Sequence, residues 1–179
     1  MARKRNKLLI VDGYNVLRSG ERYKTTAFGP DYTDDAFNTA RERLINDVVN
    51  FAGRDWRAII VFDGAKNEFS TGETQTIGGV RIMFSPAGQS ADKVIEKLAH
   101  DARERMVETL VVTSDATIQD TVFGGGVDRM SANGFSRAVA VNAHEFHLDE
   151  SPKTAVKNTV AERLGGDTVA KLKALRDSL

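Results

Sequence analysis

The chain contains no cysteine. Disulfides, thiolate zinc sites and a cysteine nucleophile are therefore excluded. No apolar run approaches the roughly 20 residues that cross a bilayer, so no membrane partner is expected. Excess charge of one sign is also missing: 25 basic residues balance 25 acidic ones, and the formal net charge is zero. A uniformly basic surface is thereby excluded as the means of holding nucleic acid. Repeats and low-complexity linkers are absent. The basic start, with Arg3, Lys4, Arg5 and Lys7, meets an apolar stretch only one strand long before Asp12, which does not read as a signal peptide. A cytoplasmic protein is expected. Gly124-Gly125-Gly126 lacks the lysine and spacing of a phosphate loop, and no small-molecule organic cofactor is indicated.

What the chain does have is acid at the ends of apolar runs. Asp12 closes Leu8-Leu9-Ile10-Val11, Asp63 closes Ile59-Ile60-Val61-Phe62, and Asp115 follows Leu110-Val111-Val112-Thr113-Ser114. Short apolar runs bounded this way read as buried parallel strands. Their C-terminal edge is where open α/β sheets bind ligands. Helical periodicity appears over residues 36–52, with Phe37, Ala40, Leu44, Val48 and Phe51 on one face. It appears again over 91–105, where Ser90 is a good N-cap. Strands are expected at 7–12, 57–63, 80–84, 109–113 and 127–130. A loop is expected after Asp12, a loop or irregular hairpin over 65–79, and a helix over 135–146. Strands alternating with crossover helices imply a mostly parallel sheet of about five strands. The expected organisation is a basic N-terminal arm over 1–6, an α/β domain over 7–148, and a basic helical tail over 149–179.

Three constellations could carry chemistry. In Asp12-Gly13-Tyr14-Asn15, glycine permits a sharp turn and Asn15 can hydrogen-bond the carboxylate or a ligand oxygen; an Asx-type turn explains the same residues. In Ser90-Ala91-Asp92-Lys93-Val94-Ile95-Glu96, the i,i+4 spacing puts Asp92 and Glu96 on one helix face; an acidic first turn is the plain alternative. In Thr113-Ser114-Asp115, the carboxylate is also a natural N-cap. Each signal is weak alone, but all fall on one predicted sheet edge. Hard oxygen donors without cysteine or clustered histidine suit Mg²⁺ or Mn²⁺. His144 and His147 read as surface positions, and Trp56 as a packing residue.

These blocks, together with Val61-Phe62-Asp63, resemble the NYN domain of the YacP-like branch of PIN-like nucleases. The likeness covers about residues 7–147. It implies a Rossmann-like three-layer α/β/α sandwich. It also implies a Mg²⁺- or Mn²⁺-dependent endoribonuclease that hydrolyses RNA phosphodiester bonds with a metal-activated water. Asp12, Asp92 and Asp115 match the family's acidic metal ligands, Asn15 its polar partner, and Glu96 and Asp63 further acids of the pattern. Where some relatives carry another acid after the third aspartate, this chain has Gln119. Arg18, Arg22, Lys93 and Ser114 are candidates for contacting RNA, with the ribosome or a translating mRNA as a further partner. The rival reading is a catalytically silent RNA-binding protein that keeps the fold.

Overall fold

The computed structural model describes residues 7–30, 33–64 and 73–150, with side chains through residue 142. Residues 1–6 and the tail from 151, including the expected basic arm and tail helices, lie outside the described residues, as do the side chains of His144 and His147. The described residues up to Asn142 belong to one compact unit.

Six strands form one sheet: β1 (Lys7–Asp12), β2 (Trp56–Phe62), β3 (Thr74–Ile77), β4 (Val80–Phe84), β5 (Thr109–Val112) and β6 (Val127–Met130), in the order β3-β4-β2-β1-β5-β6. All pairings are parallel except β3 with β4. The helices are α1 (Gly13–Ser19), α2 (Lys24–Phe28), α3 (Asp34–Ala52), α4 (Ala91–Glu104), α5 (Ala116–Val122) and α6 (Ala132–Glu150). Alternation along β1 separates two cores. Leu9 and Val11 pack with residues of α1, α3 and α6, such as Leu17, Leu44 and Phe135. Leu8 and Ile10 pack with residues of α4 and α5, such as Ile95 and Ile118. The result is the expected three-layer sandwich. Among the described residues, no helix is long and apolar enough to cross a membrane.

The structure corrects the sequence reading at two places. The stretch after Asp12 is not a loop but the two short helices α1 and α2. Asp12 caps α1 by accepting from the Asn15 N–H. Gly13 is needed for space: a Cβ there would sit 2.5 Å from Cε1 of Phe62. The second correction is a sixth strand, β3. It is paired through Gly78 and Gly79, whose φ values of 56° and 81° suit the tight hairpin turn that requires positive φ at both central residues.

A buried polar knot fastens the α1–α2 corner to α3. Tyr23 is fully buried, and its hydroxyl donates to Oδ2 of Asp47 at 2.7 Å. Arg22 closes on the same carboxylate through Nε at 2.7 Å and Nη2 at 3.2 Å. Burial and the nearby Asp47 push the Tyr23 hydroxyl well above the usual phenol range, so it remains a donor. Tyr23→Phe leaves Asp47 with Arg22 but removes one hydrogen bond to a charged group. The expected cost is about 1.5–3 kcal/mol. A melting temperature equal to wild type would show that Arg22 alone satisfies Asp47.

Candidate active site

β1 lies between β2 and β5, so the ends of three adjacent strands converge. Asp12 ends β1, Asp63 follows β2, and Asp115 lies three residues beyond β5. Strand order reverses at β1, with β2 on one side and β5 on the other. Such a switch point opens a crevice beyond the carboxyl ends of the strands. β4 leads into α4, and the helix N-terminus brings Asp92 and Glu96 to this same edge.

Asp12 is 5% exposed. Its Oδ2 accepts from the Thr113 hydroxyl at 3.0 Å, and its Oδ1 from the Asn15 N–H at 3.3 Å. The Thr113 Oγ1 in turn accepts from the Asp115 N–H at 3.1 Å, so one hydroxyl ties two aspartates together. Asp115 is the N-cap of α5, accepting from Thr117 N–H at 2.8 Å and Ile118 N–H at 3.3 Å through the same oxygen, Oδ1. Among the described residues its Oδ2 has no hydrogen bond. The Asn15 Oδ1 accepts from Ser114 N–H at 2.7 Å, which pins the β5–α5 turn to α1.

The electrostatics mark these acids as a group. Burial pushes the Asp12 carboxyl up to about 6; Asp92 and Asp115 push the same way, against the hydrogen bonds from Thr113 and Asn15. Asp92 is exposed on the first turn of α4, yet it too is raised, by partial desolvation and then by Asp115, Asp63 and Glu96. All five acids singled out in the sequence therefore share one field. Ser90, not Asp92, caps α4, accepting from Lys93 N–H at 3.4 Å. Asp92 is thus not held there by helix capping.

Among the described residues, no three acidic or histidine side chains converge closely enough to hold a metal ion as they stand. The donor set nevertheless fits a hard divalent cation in kind. It consists of carboxylates alone, and their mutual repulsion is what a cation would relieve.

Other candidates take different places. Lys93, next to Asp92 in the chain, and Arg18, in the last turn of α1 six residues after Asp12, are both exposed. Arg22 has its fork closed on Asp47, which ties α1–α2 onto α3. Ser114 is a brace, its Oγ accepting from Ala132 N–H at 2.9 Å and its own N–H held by Asn15. Asp63 accepts from the Ser85 hydroxyl at 3.3 Å. Two contributors are not legible in the sequence as such. Thr113 reads there only as a spare hydroxyl. Gln119, standing where some relatives have an acid, donates through Nε2 to the Thr113 carbonyl. A buried polar residue just before a strand-end acid is the signal that could have found Thr113.

The YacP-like NYN domain family model matches residues 9–177. The chain belongs to that family. NYN domains are related to nucleases, and this one has a curated relative in Bacillus subtilis (strain 168), the protein called "Uncharacterized protein YacP". The two are 31% identical over 132 residues, which is 74% of each chain. Two crystal structures of Rae1 (YacP) from Bacillus subtilis share the fold. One aligns with a TM-score of 0.64 at 27% identity, covering 96% of this chain and 95% of that one. The other, of a tryptophan-to-leucine mutant, gives 0.63 at 26% identity, covering 94% and 99%. The fold expected of a PIN-like domain is thus the fold of this YacP-like NYN domain.

Proposed function

We propose that this YacP-like NYN domain is a divalent-metal-dependent endoribonuclease centred on Asp12, Asp92 and Asp115. The observation that carries the reading is the place of the Asp12 carboxylate, buried at a sheet switch point. Burial raises this carboxyl, and Asp92 and Asp115 push the same way; Asp92 has no capping role that would bring it there. Stability alone would not gather them, because like charges at a buried edge cost free energy. RNA is the substrate class that the NYN relationship favours.

Asp12, Asp92 and Asp115 would hold Mg²⁺ or Mn²⁺, with Glu96 and Asp63 orienting its surroundings. When bound, the cation supplies charge to a phosphate and acidifies a water molecule. The chain's own part is positional. Thr113 fixes the Asp12 and Asp115 segments in register. Asn15 has its carbonyl occupied by Ser114, which leaves its Nδ2 to donate to a phosphate oxygen. Arg18 and Lys93 offer positive charge to the RNA backbone on either side.

The test is cleavage of single-stranded RNA by protein stripped with a chelator. Internal cuts should return with Mg²⁺ or Mn²⁺. The same ions should raise the melting temperature, with about 2.7 kcal/mol gained at a hundredfold excess over Kd. Asp12→Asn/Asp115→Asn should remove most of that rise. Gln119 in an acid's place gives the silent RNA-binding reading its one specific support. RNA binding without cuts under any metal would favour it.

A further inference from the structure

The sheet has a second open end. At the start of β1, β2 and β4, away from the carboxylates, a cavity of about 290 Å³ opens between the sheet and the C-terminal half of α4. Its floor is apolar, built from Leu8, Ile59, Leu98 and Val107. Its rim carries Arg57, Arg81 and Arg105, and among the described residues Asp101 is the only acid in the lining. Three cations against one anion leave a net charge of +2. All three arginines are exposed, and among the described residues none is in an ion pair. Their stems can cover the apolar floor while the guanidinium heads stay open to an anion.

The end of α4 does not counter this charge with bare carbonyls. The Asp101 carbonyl accepts from Arg105 N–H at 3.3 Å, that of Ala102 from Val107 N–H at 2.9 Å, and that of Arg103 from Met106 N–H at 2.9 Å. The cavity also continues onto open sheet. All four residues of β3 are exposed. Thr76 stands opposite Arg81 and Thr74 opposite Met83, so these four share one face, the face on which Met83 meets the α4-side core. That strip leads to the end of β4, where Ser85 bonds Asp63 at the acidic edge.

We propose that this cavity is a nucleotide-anchoring subsite for the RNA strand that is cut at the acidic edge. One base lies on the apolar floor, and the flanking phosphates lie on Arg81, Arg105 and Arg57. The volume is near the lower end of the roughly 300–1,000 Å³ of small-molecule sites, the scale of a single nucleotide. Arginine suits both tasks, pairing with phosphate in a fork and stacking on a base. Along α4 the lining residues from Leu98 to Arg105 lie six to thirteen residues beyond Asp92, or about 9–20 Å at 1.5 Å per residue. One nucleotide cannot occupy both ends, whereas a strand running along the β3–β4 strip can. The subsite rests on the endoribonuclease reading for its role in cleavage, but not for its affinity.

The experiment measures binding of a fluorescent single-stranded RNA dodecamer to the full chain across a salt series, with cleavage followed in parallel. Arg81→Gln/Arg105→Gln should weaken binding about tenfold. It should also make the salt slope shallower by about 1.4, the value of two single-strand phosphate contacts. Asp101→Asn should act oppositely and tighten binding, which a folding defect could not imitate. The kcat on saturating RNA should be unchanged while KM rises. If wild type binds the dodecamer through these arginines but never cuts it, the subsite stands and the nuclease reading falls. Equal affinity and slope in all three proteins would overturn the subsite. So would equal displacement of the RNA by micromolar adenosine or uridine monophosphate, because the cavity would then serve free nucleotides.

Discussion

Asp92→Asn is expected to lower RNA cleavage roughly 100- to 1,000-fold, the range for losing one group that manages transition-state charge, while the fold survives. Two facts separate chemistry from folding at this position. Asp92 is exposed, and the cap of α4 comes from Ser90. Its carboxyl is raised by desolvation and then by Asp115, Asp63 and Glu96, so its charge is a burden on the metal-free protein. The melting temperature without metal should therefore be equal to wild type or slightly higher. RNA affinity should be kept or improved, because one negative charge facing phosphate is gone. A loss of cleavage in kcat rather than in KM places the residue in the chemical step. Wild-type rates in a preparation free of other nucleases would remove Asp92 from the site.

Asp12→Asn should stabilise the metal-free protein at neutral pH. The folded carboxyl titrates near 6 against an ordinary value of 3.8, so the folded state holds the proton more tightly than the unfolded state. The stability this contributes is fully present below about pH 4 and is lost as the pH rises through 6. Above pH 7 the ionised group costs the folded state about 1–3 kcal/mol, at about 1.36 kcal/mol for each tenfold difference in proton affinity between the two states. Asparagine does not titrate, and its side chain can keep the bond from the Asn15 N–H. The variant should therefore melt several degrees above wild type at pH 7.5, at roughly 2–4 °C per kcal/mol, with the gain vanishing by pH 4. Millimolar Mg²⁺ or Mn²⁺ should shrink or reverse the difference, since only wild type would keep all the proposed ligands. A variant less stable than wild type at pH 7.5 would mean that the carboxylate's bonds to Thr113 and Asn15 outweigh its burial.

The parts of this design that the sequence reveals are those with a strong local signature. Leu8–Val11 and Ile59–Phe62 are continuous apolar runs closed by aspartate, so strand, edge and candidate acid are legible together. α3 and α4 each show several turns of apolar periodicity behind a clear cap. α1 and α2, of seven and five residues, are too short for a period to emerge among flanking glycines. β3 has no buried side, and its sequence TQTI carries no alternation; its place comes from the Gly78–Gly79 turn and from β4. The Arg22–Asp47 pair joins residues 25 apart, and nothing local distinguishes such an arginine from one that waits for phosphate. Gln119 likewise reads as a missing acid in sequence, and in space it is a clamp on the Thr113 carbonyl.

The central claim is that clustered aspartates at the β1–β5 switch point hydrolyse RNA with water activated in a metal-dependent way. Cleavage of a defined single-stranded RNA in ¹⁸O-labelled water, with products weighed by mass spectrometry, tests it most directly. The expected result is fragments whose new phosphate end carries one solvent oxygen, formed with Mg²⁺ or Mn²⁺ and absent with chelator or with Asp92→Asn. Fragments ending in a 2′,3′-cyclic phosphate without solvent oxygen, formed equally in chelator, would contradict the account, because the ribose 2′-hydroxyl would then be the nucleophile and the carboxylates would have no cation to hold.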